Sequence, residues 1–170
     1  MRTMLTLIGL LVSVVPAAAQ SAMIPSIART VDLSGPRFGM TSLSPGIVDA
    51  LHERNIDVKP IISQFGWQAE RQFYAKGSSI TAVSEWVALI GGLDQSTPLP
   101  SLSWLVGIRT AQGAEFGIGP NITPAGAALV IAAGVTFRAG LMNVPMNFAV
   151  VPSKAGVRVT MLTGFSFRRR

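Results

Sequence analysis

The sequence predicts an all-β protein, a single antiparallel up-and-down β-barrel of about eight strands with one short helix in the first long loop. Three observations lead to this prediction. After the N-terminal segment, the chain divides into short runs with strand character, separated by turns rich in Gly, Pro, Ser and Asn. Within most runs, bulky apolar residues alternate with small or polar residues, which is the period of a strand with two unlike faces. Hydrophobic residues make up 49% of the chain, yet no apolar run after the N-terminal segment reaches the length of a membrane-spanning helix.

The first residues have the layout of a bacterial secretory signal peptide. Arg2 gives a positive start, Leu5 to Val15 form an apolar stretch, and Pro16 is followed by three alanines. We therefore expect residues 1–19 to be removed by cleavage after Ala19. The alternative is an uncleaved anchor helix, but the apolar run falls short of the ~20 residues that a span requires.

The chain after this signal fits a single domain. Residues 20–35 have no clear period and are interpreted as a lead-in segment, and residues 36–170 are interpreted as the barrel domain. The predicted strands are 36–43, 60–75, 79–91, 100–110, 113–120, 126–138, 142–151 and 157–168.

A helix is predicted within the first long loop. Ser44 is a suitable N-cap, and Pro45 suits the first helical position. The apolar residues Ile47, Val48 and Leu51 share one face at helical spacing.

The strand faces predict which surface meets lipid. In the fourth strand, for example, Leu102, Trp104, Val106 and Ile108 oppose a face of Ser, Gly and one Arg. A transmembrane barrel turns the apolar face outward and the polar face inward. Charged residues make up only 13% of the chain, against about 25% in typical soluble domains, which favours a lipid-facing surface. The alternative is a soluble barrel with these faces reversed.

Two features fit the membrane interpretation poorly. Arg71 falls on the lipid-facing side of the second strand, although close to the rim, where its cost is small. In the third strand, the face that contains Val83, Val87 and Leu89 is almost as apolar as the face that contains Trp86.

Seven charged residues are expected to point into the lumen. An eight-stranded barrel is only wide enough inside for its own side chains, so we expect these charges to pair and to hold the barrel rigid. An anion-binding channel is the alternative. The seven residues are Arg37, Glu70, Glu85, Arg109, Glu115, Arg138 and Arg158.

The inventory of catalytic residues is small. The chain has no Cys, so disulfides and thiolate metal sites are excluded. His52 is the single histidine; a unit with Asp49 and Ser44 is conceivable, but a solvated loop histidine is the favoured interpretation. No catalytic, cofactor or metal-binding residue is assigned.

Export makes nucleic acid an unsuitable partner in spite of the net charge of +6 and the terminal Arg168, Arg169 and Arg170. Outer-membrane lipid or lipopolysaccharide is the expected partner. The loops 44–60 and 91–100 are the surfaces expected to meet a protein partner.

Three segments, 100–107, 116–121 and 149–154, resemble a group of uncharacterised exported bacterial proteins, which brings no activity with it. In architecture, the chain resembles the small eight-stranded outer-membrane barrels, some of which are lipid A deacylases or palmitoyl transferases. The deacylase pattern places a histidine in the C-terminal strands, and this chain has none there. The resemblance therefore implies a barrel in the outer membrane and no catalytic residue.

The functional expectation is an outer-membrane barrel with a packed polar lumen that acts structurally or through its loops. The alternatives are a soluble periplasmic barrel that binds an apolar ligand inside, and a lipid-modifying enzyme that uses His52 at the rim.

Overall fold

The structure is a computed structural model that describes residues 32–76 and 80–167. It confirms the predicted fold class, because the described chain forms one closed antiparallel barrel of eight strands with one short helix. The predicted signal peptide, most of the lead-in segment, part of the turn after the second strand and the three terminal arginines lie outside the described residues.

The helix α1 spans Pro45–His52 and a short 3-10 helix spans Leu93–Gln95. The strands are β1 Gly35–Leu43, β2 Ile61–Lys76, β3 Ile80–Gly91, β4 Leu99–Thr110, β5 Ala114–Thr123, β6 Gly126–Ala139, β7 Met142–Ser153, β8 Gly156–Gly164 and the two-residue β9 Ser166–Phe167.

Each strand from β1 to β7 pairs antiparallel with the next, and β8 pairs with β1. This last pairing closes the sheet, so no strand edge is left exposed, which is the way a barrel removes the risk of edge pairing. At the register position where the barrel closes, Met40 of β1 lies opposite Met161 of β8.

Two predicted boundaries were wrong. The fifth strand, predicted to end at residue 120, runs on to Thr123, because Asn121, Ile122 and Thr123, expected in the turn that follows, belong to β5. The side chain of Asn121 points into the barrel and bonds there, and these contacts override the turn preference of the residue.

The last predicted strand, 157–168, is interrupted. β8 ends at Gly164, whose partner on β1 is Arg37, and β9 pairs with β7 alone. The register between β1 and β8 ends at the pair of Arg37 and Gly164, although β1 itself begins two residues earlier, at Gly35, where it pairs with β2 alone.

Every strand turns bulky apolar residues outward. Even near mid-height, where a soluble sheet would carry charge, each strand contributes a large exposed apolar side chain. This apolar belt consists of Met40, Trp67, Trp86, Trp104, Ile118, Ile131, Phe148 and Met161. Trp86 and Trp104 stack across β3 and β4 with ring centroids 5.8 Å apart.

Five phenylalanines lie outward towards the end that holds the start of β1 and the end of β8, and all are about half exposed or more. We call this the terminal end, and the opposite end, which carries α1, the helix end. The five are Phe38, Phe73, Phe116, Phe137 and Phe167.

The interior has two unlike halves. Charged side chains fill the half near the terminal end, whereas Val87, Leu89, Leu105, Val130 and Val151 form an apolar cluster nearer the helix end. The lumen is therefore polar over only part of its length. The apolar inner face of β3, noted in the sequence, belongs to this cluster.

Candidate functional site

Arg109 is the centre of the charged half of the lumen. It is 3% exposed, and its Nη1 donates to Glu70 Oε1 at 2.7 Å while its Nε donates to Glu115 Oε1 at 2.7 Å. Nη2 pairs with the second oxygen of Glu70 and lies 3.8 Å from Glu85. Three carboxylates from β2, β3 and β5 therefore converge on one guanidinium from β4, and they tie together four strands of the wall.

Neutral groups complete this cluster. Thr136 Oγ1 on β6 donates to Glu115 at 3.0 Å, and Gln72 Nε2 donates to Glu70 at 3.3 Å. Buried charges are stable only when their remaining lone pairs are also bonded, and these contacts supply part of that requirement. We interpret the cluster as a structural element that holds the strands together across the lumen and keeps the barrel rigid.

Arg37 is buried beside this cluster but is held by neutral oxygens. Its Nε donates to Gln68 at 3.0 Å, Nη1 to the Pro36 carbonyl at 3.0 Å and Nη2 to the Leu33 carbonyl at 2.5 Å. Each guanidinium nitrogen thus has an acceptor. These bonds hold the end of the lead-in segment against the terminal end of the barrel.

The remaining two predicted lumen residues lie at opposite ends of the barrel. Arg138 is half-buried on the inner side of β6, at the register position opposite Asn143. Arg158 lies near the start of β8, opposite Leu43, and is therefore at the helix end. The structure thus brings Arg37, Glu70, Glu85, Arg109 and Glu115 to the same half of the lumen and separates Arg158 from them.

Arg158 is 8% exposed and has no carboxylate within ion-pair distance among the described residues. Its Nη2 donates to Asn121 Oδ1 at 2.9 Å and its Nη1 donates to Thr123 Oγ1 at 2.7 Å. Its Nε is buried without any acceptor. A buried guanidinium that lacks a counter-ion is costly, because desolvation of the charge is not offset.

A cavity of about 90 Å³ lies beside this guanidinium, inside the helix end of the barrel. Its walls are mainly apolar and include Ile47 and Leu51 from the helix and Leu89, Val130 and Val151 from the strands. The cavity is a part of the lumen that the barrel's own side chains leave unfilled.

The helix α1 forms the wall of the cavity at the helix end of the barrel. Ile47, Val48 and Leu51 are buried on one face of the helix, as the sequence pattern predicts, and pack with Leu43 and Val58. The burial of this face explains why a short helix of eight residues is stable here, since an isolated helix of that length would be marginal in water.

Several hydrogen bonds fix the helix loop to the neighbouring loops. Lys59 N donates to Gln95 Oε1 and Gln95 Nε2 donates to the Ile61 carbonyl, each at 2.7 Å. Ser63 Oγ donates to Asp94, and this bond holds the pKa of the exposed Asp94 carboxyl below its ordinary value. The loops 44–60 and 91–100 therefore form one connected surface.

His52 and Ser44 do not form a catalytic unit with each other. His52 Nε2 lies 3.1 Å from Asp57 Oδ1, and Ser44 Oγ accepts a hydrogen bond from Val157 N at 3.0 Å. Ser44 also does not cap the helix through its side chain, because that oxygen is engaged with β8.

Sequence reasoning did not single out Asn121, Thr123 and the apolar lining of the cavity. Asn121 was assigned to a turn by its residue type, and no local pattern signals that its amide holds a buried arginine. The apolar inner face of β3 was the one available signal of the cavity.

Across residues 32–76 and 80–167, no three His, Asp or Glu side chains are placed to hold a metal ion, and no helix is long and apolar enough to cross a membrane. No family model matches the chain, and neither a curated protein nor a solved structure matches it.

Proposed function

We propose that this protein is an outer-membrane β-barrel, exported by its N-terminal signal, which acts structurally or through the loops at its helix end. The observation that carries the proposal is the apolar belt together with the absence of charge around it. On the outward strand faces, Arg71 is the one ionisable residue among the side chains that the structure describes.

The extent of the belt supports a lipid neighbour. Soluble monomers rarely expose contiguous apolar patches larger than a few hundred Å². Here large apolar side chains face outward on all eight strands, so the patch encircles the molecule. The strands β1 to β8 have 9 to 16 residues, which meets the ~9–11 residues that a tilted strand needs to cross the hydrocarbon layer.

A soluble periplasmic barrel is the weaker candidate. It would require the bulky apolar residues to face a dry core, but they face outward, while Glu70, Arg109 and Glu115 are inside. A water-exposed barrel of this kind would hide its charges and expose its hydrophobic residues, which opposes the hydrophobic effect.

The two ends of the barrel suggest an orientation. At the terminal end, the connections between β4 and β5 and between β6 and β7 are short turns, as periplasmic turns are in such barrels. The longer loops, 44–60 and 92–98, lie at the helix end. In this orientation, that connected loop surface meets lipopolysaccharide or a protein partner outside the cell.

Fractionation of cells that express the full chain tests the proposal. We expect the protein in the outer-membrane fraction, insoluble without detergent, and migrating differently on gels before and after boiling because the closed barrel resists unfolding in the detergent. Recovery in the periplasmic fraction without detergent would contradict the proposal.

A further inference from the structure

The helix end of the lumen combines two features that the proposed structural role does not use. One is a buried guanidinium, Arg158, that has no counter-ion and has one unbonded nitrogen among the described residues. The other is the apolar cavity that this side chain lines. A charge next to an apolar space is what an amphipathic anion requires from a site.

We propose that this cavity binds a short-chain carboxylate, with the carboxylate on Arg158 and the alkyl chain between the helix and the apolar inner cluster. Arg158 supplies the charge and the free Nε donor. Asn121 and Thr123 hold two of its nitrogens and so fix the guanidinium before the ligand arrives.

The charge balance of the cavity selects a monoanion. The other ionisable residue that lines it, Glu85, already lies 3.8 Å from Arg109. Arg158 therefore contributes one uncompensated positive charge. A carboxylate neutralises that charge and accepts paired hydrogen bonds from a guanidinium, whereas a dianion would leave a buried negative charge without a partner.

The size of the cavity limits the length of the ligand's alkyl chain. A volume of about 90 Å³ is several times the ~10–15 Å³ that a single water requires, so the cavity has room for a short alkyl chain. Octanoate, with eight carbons, therefore serves as the probe.

The wall next to Arg158 offers a route of entry from the outward face. Ser101 and Thr123, with Pro100 and Pro124, line both the cavity and a groove on the outside of the barrel. The pairing of β4 with β5 begins only at Leu102, and prolines have no N–H to extend it. The wall therefore has few strand hydrogen bonds where the cavity meets the groove, which Phe65 and Trp67 also line.

The test is a titration of the purified mature protein, in a detergent with an uncharged headgroup, with octanoate carrying a ¹³C carboxyl label. We expect a saturable bound resonance at one octanoate per protein. Octanol has the chain without the charge and acetate has the charge without the chain, so both should compete at least tenfold more weakly. Equal competition by octanol would overturn the proposal.

Arg158→Met should weaken octanoate binding at least thirtyfold, as is usual when one member of a buried charge pair is removed. Arg71→Met removes the same charge from the outward face and should bind as the wild type does. Wild-type affinity in Arg158→Met would overturn the proposal.

Ala149→Leu gives a second test that keeps the arginine. Ala149 lines the cavity, and a leucine there fills part of it, so octanoate binding should fall at least tenfold. If Ala149→Leu binds octanoate as tightly as the wild type, the ligand lies outside the barrel and the proposal fails. The titration does not depend on the cellular location, so its result and that of the fractionation are separate.

Discussion

The arginines of the lumen differ in the groups that compensate their positive charge. Arg109 has three carboxylates within 4 Å, Arg37 has three neutral acceptors, and Arg158 has two neutral acceptors and an unbonded Nε. Removing one partner from a compensated buried ion pair is costly, whereas an incompletely compensated charge is itself kept at a cost. For this reason we assign a structural role to the charged cluster at the terminal end and the proposed binding role to Arg158 at the helix end.

Arg109→Met should be strongly destabilising. The substitution leaves Glu70, Glu85 and Glu115 buried near one another without their shared cation, and breaking a buried ion pair in this way costs about 3–5 kcal/mol. The measurement is the free energy of unfolding from urea titrations of the protein in detergent.

Arg71→Met is the matched control for this residue, since it removes the same charge from an exposed position. It should unfold at the wild-type urea concentration or above. If Arg109→Met unfolds at the same concentration as Arg71→Met, the cluster contributes no stability.

At the level of strands, close approach between neighbours depends on glycines that point inward. Gly107 of β4 lies opposite Gly117 of β5, but the two positions differ in the room around them. A Cβ on Gly107 would lie 2.2 Å from the Phe116 carbonyl oxygen, whereas a Cβ on Gly117 would find its nearest neighbour at 3.6 Å.

Gly107→Ala should therefore lower the free energy of unfolding by about 1–3 kcal/mol, because the backbone of β5 must move away. Gly117→Ala is the control. It should be neutral or stabilise the barrel by up to about 1 kcal/mol, since alanine reduces the freedom of the unfolded chain. Urea titrations of both variants measure this difference, and equal stabilities would contradict the close approach of β4 and β5.

At the level of strands and helix, local patterns predicted most of the secondary structure. The helix was predicted at Pro45 because a proline after Ser44 precedes apolar residues at helical spacing. The end of β5 was missed because turn preference is local, while Asn121 is held in the strand by Ser101, Ser103 and Arg158, which are distant in sequence. The break after Gly164 was missed because it depends on where the register between β8 and β1 ends, and β1 is distant in sequence.

At the level of the whole molecule, the depth of a residue in the apolar belt should decide the cost of a charge. Ile131 lies at the middle of β6, and Phe137 lies near its terminal end. Both side chains face outward. In a bilayer, an arginine costs about 2–4 kcal/mol at mid-depth and about 0–1 kcal/mol near the interface.

Ile131→Arg should therefore destabilise the barrel in phospholipid vesicles more than Phe137→Arg does, by about 2–3 kcal/mol in the free energy of unfolding. In a water-soluble barrel both arginines would be tolerated alike. Equal costs for the two variants in vesicles would contradict a membrane-spanning role.

The sequence predicts about eight strands, their approximate limits, the helix and which residues of each strand share a face. It leaves open whether the apolar face turns outward, as in a membrane barrel, or inward, as in a soluble one. The predicted properties follow from local periods, since a strand alternates its faces every residue and glycines and prolines mark its ends. The seven lumen residues were selected from that alternation alone.

The tertiary structure alone decided which of those residues meet. Barrel closure brings residues from β2, β3, β4 and β5 around one guanidinium, and it sets Arg158 at the other end, beside the cavity that α1 covers. No local pattern contains this division of the lumen, because the height of a residue inside a closed barrel depends on the register between strands that are far apart in sequence.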